Sequence, residues 1–259
     1  MKLTTPWQLG YPAKRIISLV PSQTELLHYL GLEEETIAIT KFCVHPQTWF
    51  KSKTRIGGTK TINIEKVKAL QPDLIIANKE ENVKEQVEML AENFPVWVTD
   101  VNTLPDAYNM INDIGSLTNK EAEASGLVSA IRSKFDVLFQ TINTKNKISA
   151  TYLIWREPYM TIGGDTFISH MMEAAGLKNI FQTQLRYPEI LLSQLKTVNC
   201  ELILLSSEPY PFKQKHIDEI QKELPGSKIM LVDGEMFSWY GSRLLFAPGY
   251  FTELISNIR

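Results

Sequence analysis

Arg15-Ile-Ile-Ser-Leu-Val-Pro-Ser-Gln-Thr-Glu25 sets the fold class. Its first six residues are a short β-rich run, Pro21 stops that run, and Ser22 to Leu30 follows as a helix closed by Gly31. Ser22-Gln-Thr-Glu25 has capping-box spacing, which places the Ser22 oxygen to accept from the backbone N–H three residues on. A strand that feeds a helix opens a βαβ unit, and the pattern recurs downstream. A helix Ile64 to Leu70 precedes the buried-type strand Leu74-Ile-Ile-Ala77. A polar helix Val83 to Glu92 precedes the strand Val96-Trp-Val-Thr99, and a helix Pro105 to Ile114 follows. Strands alternating with helices predict a largely parallel sheet.

Lys120 to Ile142 contains no Pro and one Gly, and Leu127, Ile131, Phe135, Leu138 and Ile142 recur at helical spacing along one face. That is one helix of about 23 residues, or roughly 35 Å. Beyond it the alternation resumes: strand Ile148 to Ile154, helix Thr166 to Ala175 with Gly176 at its C-cap, strand Leu202 to Leu205, helix Phe212 to Glu223, strand Ile229 to Val232, and a last helix from about Pro248. Ile64-Glu-Lys-Val-Lys-Ala-Leu-Gln-Pro-Asp-Leu-Ile-Ile is matched in type by Leu192-Ser-Gln-Leu-Lys-Thr-Val-Asn-Cys-Glu-Leu-Ile-Leu: helix, short link, acid, apolar strand. This is either an internal duplication or the common grammar of α/β units. The reading is an α/β chain of two parallel-sheet lobes joined by one long helix, with a ligand cleft between the lobes. Its expected domains are an N-terminal lobe 1–117, a linking helix 118–145 and a C-terminal lobe 146–259.

The chain has 259 residues, 44% of them apolar and 22% charged, enough for one large or two smaller cores. With 27 Lys and Arg against 29 Asp and Glu, it has no basic field to hold nucleic acid. Two cysteines, Cys43 and Cys200, cannot staple a scaffold. Between Met1 and Val20, residues Pro6, Gly10, Pro12, Lys14 and Arg15 break every apolar stretch before an export signal could form. The expected location is therefore cytoplasmic for the chain as it stands, and periplasmic if a signal segment is missing.

In open parallel sheets, ligands sit on the loops beyond the strand C-termini. Those loops gather large rings: Trp155, Tyr159, Tyr187, Tyr210, Phe237, Trp239 and Tyr240 all fall in predicted loops, where exposed aromatics cost hydration unless they cover something. A flat, partly apolar ligand is favoured over simple interface packing. Gly57-Gly-Thr-Lys-Thr61 lacks phosphate-loop spacing, so Gly58, Thr59 and Lys60 are read as a tight turn or a close backbone approach to a ligand. Cys43-Val-His45 is a Cys-x-His pair, but zinc wants four ligands and His28, His170 and His216 lie in predicted helices. No metal site and no catalytic constellation is expected. His45 is a candidate polar or axial contact to a ligand metal.

Arg15 to Glu25, Asn63 to Ala77 and the strand ending Val98-Thr-Asp100 resemble, in order and spacing, the cobalamin-binding proteins of bacterial ABC importers. These form part of the helix-linked family that also binds haem and ferric siderophores. The resemblance extends over nearly the whole chain. It implies two rigid lobes and a connecting helix that permits small closure. It also implies that Phe42, Thr59, Asn78, Tyr159, Tyr187 and the segment Phe237 to Arg243 face the ligand. Trp155, Trp239 and Tyr240 supply stacking where Thr59 and Asn78 replace the tryptophan common in that pattern. The family docks on a membrane permease through one acid per lobe. Glu65 matches the first; Ser193 stands at the second, with Glu189 one turn earlier.

The expected function is thus a non-catalytic, monomeric binding protein for cobalamin or a related corrinoid, without an intrinsic cofactor, feeding an ABC-type importer. The alternatives are a haem or ferric-siderophore binder, or a cytosolic enzyme acting on a tetrapyrrole-type cofactor through Cys43, His45 or Glu80 and Glu81.

Overall fold

The computed structural model describes residues 1–142, 147–198 and 200–258. The last part of the expected linking helix, residues 143–145, and Asn199 of the internal repeat lie outside the described residues. The chain divides into two compact units. The first takes 1–101, 105–132 and 239–244; the second takes 102–104, 133–238 and 245–259.

In the first unit the elements are β1 (Lys2–Leu3), β2 (Ile16–Ser18), α1 (Pro21–Tyr29), β3 (Thr36–Ile39), α2 (Gln47–Ser52), β4 (Thr54–Arg55), α3 (Ile64–Leu70), β5 (Leu74–Asn78), α4 (Lys84–Ala91) and β6 (Val96–Thr99). Then α5 (Leu104–Thr118) follows, and α6 (Glu121–Thr141) begins in the first unit and ends in the second. The sheet order is β1-β6-β5-β2-β3-β4, parallel throughout, so all its strand C-termini lie on one edge. Ile17, Leu19, Ala38, Val67, Ile75 and Val96, each 1% exposed or less, centre the core. Full burial of such side chains contributes about 1.5–3 kcal/mol each for the larger ones.

The second unit holds β7 (Ile148–Leu153), β8 (Tyr159–Met160), α7 (Phe167–Ala174), β9 (Leu177–Asn179), β10 (Glu189–Ile190), α8 (Leu192–Thr197), β11 (Leu202–Ser206), α9 (Gln214–Glu223), β12 (Lys228–Val232), α10 (Glu235–Ser238) and α11 (Ala247–Ile258). Its main sheet, β12-β11-β7-β9, is also parallel, and β8 with β10 makes a small antiparallel ladder. Among the described residues no helix is long and apolar enough to cross a membrane.

The repeated segments occupy equivalent places. β5 lies between β2 and β6, and β11 lies between β7 and β12. The acid that precedes each strand does the same work. Asp73 accepts the backbone N–H groups of Lys14 and Arg15 (2.8 Å each), at the entry to β2. Glu201 accepts the backbone N–H and hydroxyl of Ser149 (2.8 and 2.7 Å), at the entry to β7, which holds its carboxyl below the usual range. Each acid pins the start of the neighbouring parallel strand.

Three expectations need correction. Ser22 does not cap α1: the helix begins at Pro21 with Val20 at the N-cap and no side-chain cap, because proline needs no N–H partner and is pre-set for the first helical position. The helix from residue 105 runs on to Thr118 and meets α6 at Asn119, whose φ of 58° turns the chain, so the long helical stretch starts at Glu121. Tyr159 and Phe237 are not loop residues. They lie in β8 and α10.

Candidate functional site

On the first unit, the loop after β3 carries Phe42, Cys43 and His45. Cys43 is fully buried and accepts from the Thr24 hydroxyl (3.1 Å), with the Thr40 hydroxyl at 3.2 Å. Burial pushes its thiol pKa up, so it is an anchor for the loop rather than a thiolate. Phe42, tethered by that anchor, is 51% exposed, with the Lys41 ammonium 5.0 Å from its ring centre. Beneath it, Gly58 is needed for space: a Cβ there would come 3.1 Å from Cε2 of Phe42. Gly57, at φ 106°, makes the tight turn.

Thr59 and Asn78 are buried. The Asn78 amide donates to the Thr99 carbonyl and hydroxyl (3.1 Å each), while its oxygen accepts the backbone N–H groups of Glu80 and Glu81 (2.8 and 3.2 Å). Its polar capacity is therefore used to shape the loop after β5. Asn82 then donates to the Thr59 carbonyl (3.1 Å), and exposed Lys60 reaches the Glu80 carbonyl, so the two loops brace each other.

Residues 239–244 complete this unit's site. Trp239 and Tyr240 are 6% and 7% exposed. The half-buried His45 ring meets Trp239 edge-on with centroids 5.5 Å apart, and the Arg243 guanidinium lies 5.0 Å over the same indole. Arg243 also grips Glu25 of α1 through two bonds (3.0 and 2.5 Å).

On the second unit, Trp155 follows β7 and is 41% exposed, its ring edge-on to Tyr210 at 5.7 Å. Arg156 donates to the hydroxyls of Tyr159 and Tyr210 and pairs with Glu219 (2.8 Å) and Glu157 (3.2 Å), which raises its pKa further. His216 stands behind Tyr210. Its Nδ1 accepts the Lys213 backbone N–H (2.9 Å), so the proton sits on Nε2, 3.4 Å from the Tyr210 oxygen. Tyr187 is half-buried under the Arg186 guanidinium. Phe237 is fully buried against Tyr152, Tyr250 and Phe251. Glu65, in α3, is exposed and bridged to Lys68 (3.0 Å), and Glu189 is exposed in β10.

Tyr210 was singled out as a loop aromatic, whereas Arg156 and His216 were not expected at the site. The signal was present in the twin Glu-Pro-Tyr runs, 157–159 and 208–210, each a few residues beyond the end of a strand of the same sheet. Among the described residues no group of three or more His, Cys, Asp or Glu side chains could hold a metal ion.

The family described as periplasmic binding protein matches residues 16–227. A vitamin B12-binding protein of Vibrio campbellii is 28% identical over 197 residues, 75% of this chain and 71% of that one. The crystal structure of the periplasmic vitamin B12 binding protein of Vibrio cholerae superposes with a TM-score of 0.81 at 21% identity, covering 95% of this chain and 98% of that one. A periplasmic heme binding protein from Pseudomonas aeruginosa superposes at 0.79 with 16% identity, covering 93% and 92%. At such identities the structural likenesses establish a shared fold.

Proposed function

The chain belongs to the periplasmic binding protein family, and from that premise we propose that it binds a corrinoid, cobalamin or a close relative, and hands it chemically unchanged to an ABC-type importer. The observation that carries this reading is the state of the aromatics. Phe42 on one unit lies close over the Gly58 backbone, Trp155 on the other meets Tyr210 edge-on, and both keep about half of their surface open. Rings held rigid with an open face suit a broad ligand with apolar stretches, because little side-chain freedom is lost on binding. The relative from Vibrio campbellii, named for vitamin B12, points to the same ligand class.

In this reading Phe42, Trp155, Tyr159 and Tyr187 contact the ligand, His45 offers an imidazole to its metal or polar edge, and Gly58, Thr59, Asn78, Trp239, Tyr240 and Arg243 hold the contact loops in place. Glu65 and Glu189 lie exposed and available to basic residues of a permease, where such pairs act through steering and register. The protein works outside the cytoplasmic membrane as a monomer. Mixing purified protein with cyanocobalamin, haemin or ferrioxamine and recording visible spectra after desalting tests the reading. Retention of cyanocobalamin with an unaltered corrin spectrum is expected. A protein fraction that emerges colourless from the cyanocobalamin mixture would contradict it.

A further inference from the structure

Three arginines lie in the candidate ligand loops, and arginine is the side chain best suited to grip a ligand carboxylate through two parallel bonds. Each is already engaged by an acid of its own unit. Arg243 is held by Glu25 (3.0 and 2.5 Å), Arg156 by Glu219 (2.8 Å) and Glu157 (3.2 Å), and Arg186 faces Asp165 at 3.7 Å. The tightest pair is also sheltered: the Arg243 and Glu25 side chains are only 13% and 20% exposed. A ligand carboxylate that captured Arg243 would strand Glu25, and an uncompensated, partly desolvated carboxylate is costly; at Arg156 it would have to displace two acids, Glu219 and Glu157. Glu80 and Glu81 after β5, and Glu208 after β11, add further negative charge to the same loops.

We propose that these internal pairs make the ligand loops of each unit selective by charge: they accept metal chelates whose rim is amide-like, uncharged or cationic, and reject chelates that present carboxylates. The inference rests on the ligand-binding reading above and names which member of that ligand class is admitted. Glu219 and Glu25 are then specificity determinants. They act by occupying the arginines, and they need not touch the ligand.

The test titrates the full-length protein with cyanocobalamin, whose corrin rim carries amides, with haemin, which carries two carboxylates, and with the cationic hydroxamate ferrioxamine B, following absorbance. Wild type should bind haemin at least ten-fold more weakly than cyanocobalamin. Glu219→Gln should raise the ratio of haemin to cyanocobalamin affinity at least ten-fold by removing the closer of the two acids that hold Arg156. Glu219 is well exposed on α9, so the variant should keep a native circular dichroism spectrum. Glu25→Gln supplies an independent second release, of Arg243. Equal affinity of wild type for haemin and cyanocobalamin, or an unchanged ratio in both variants with native folds, overturns the inference alone. Failure to bind any of the three probes overturns the ligand-binding reading, and the inference falls with it.

Discussion

Trp239 shows how one residue joins stability to binding. Its indole is 6% exposed, edge-on to His45 and stacked beneath Arg243, so it supports two neighbours that reach the ligand loops. Removing so large a buried ring leaves a cavity and costs about 3–5 kcal/mol. Trp239→Ala should therefore lower the free energy of chemical unfolding by that amount. It should also weaken ligand binding by roughly 1–3 kcal/mol, the range for an interfacial anchor. Trp239→Phe should recover much of the stability. A denaturation midpoint unchanged by Trp239→Ala would show that the ring carries no such load. Sequence alone placed Trp239 at the site because large rings in loops demand cover. It could not show that Arg243 is paired with Glu25, 218 positions away, since no local pattern links them.

At the scale of elements, α9 carries a pH dependence that unit-wide averages would hide. Burial lowers the pKa of His216, and Lys213, Lys215 and Arg156 push the same way against Glu219. The folded ring stays neutral because Nδ1 is committed as an acceptor, whereas in the unfolded chain it titrates near the ordinary value of about 6.5. In the window below that value the unfolded chain binds more protons, so the contribution is full above about pH 6.5 and is lost as pH falls toward the lowered folded pKa. Urea unfolding at pH 7.5 and pH 5 should show a larger loss for wild type than for His216→Gln. Equal losses would contradict the assignment. Elements with strong periodicity, such as α3, β5, α7 and β11, were legible within a residue or two. The two-residue strands β4, β8 and β10 were not, because a pair of residues carries no period. The cap of α1 was misread because Pro21 competes with Ser22 and starts the helix one residue earlier.

Over the whole molecule, the repeat of helix, link, acid and strand was visible in the sequence, and its meaning became physical in the structure. Asp73 and Glu201 each clamp the entry to a neighbouring parallel strand within their own sheet. The fold class followed from alternation of strand and helix. The burial of Asn78 and Phe237 did not, because it is set by tertiary neighbours far along the chain.

The central claim is that this chain binds a corrinoid and returns it intact. Isothermal titration of the purified protein with cyanocobalamin tests it most directly, with the recovered ligand checked by its spectrum. The account predicts one ligand per chain, a dissociation constant of about 1 μM or tighter, corresponding to roughly 8 kcal/mol, and an unchanged corrin. Absence of binding heat, or recovery of a chemically altered corrin, would contradict it.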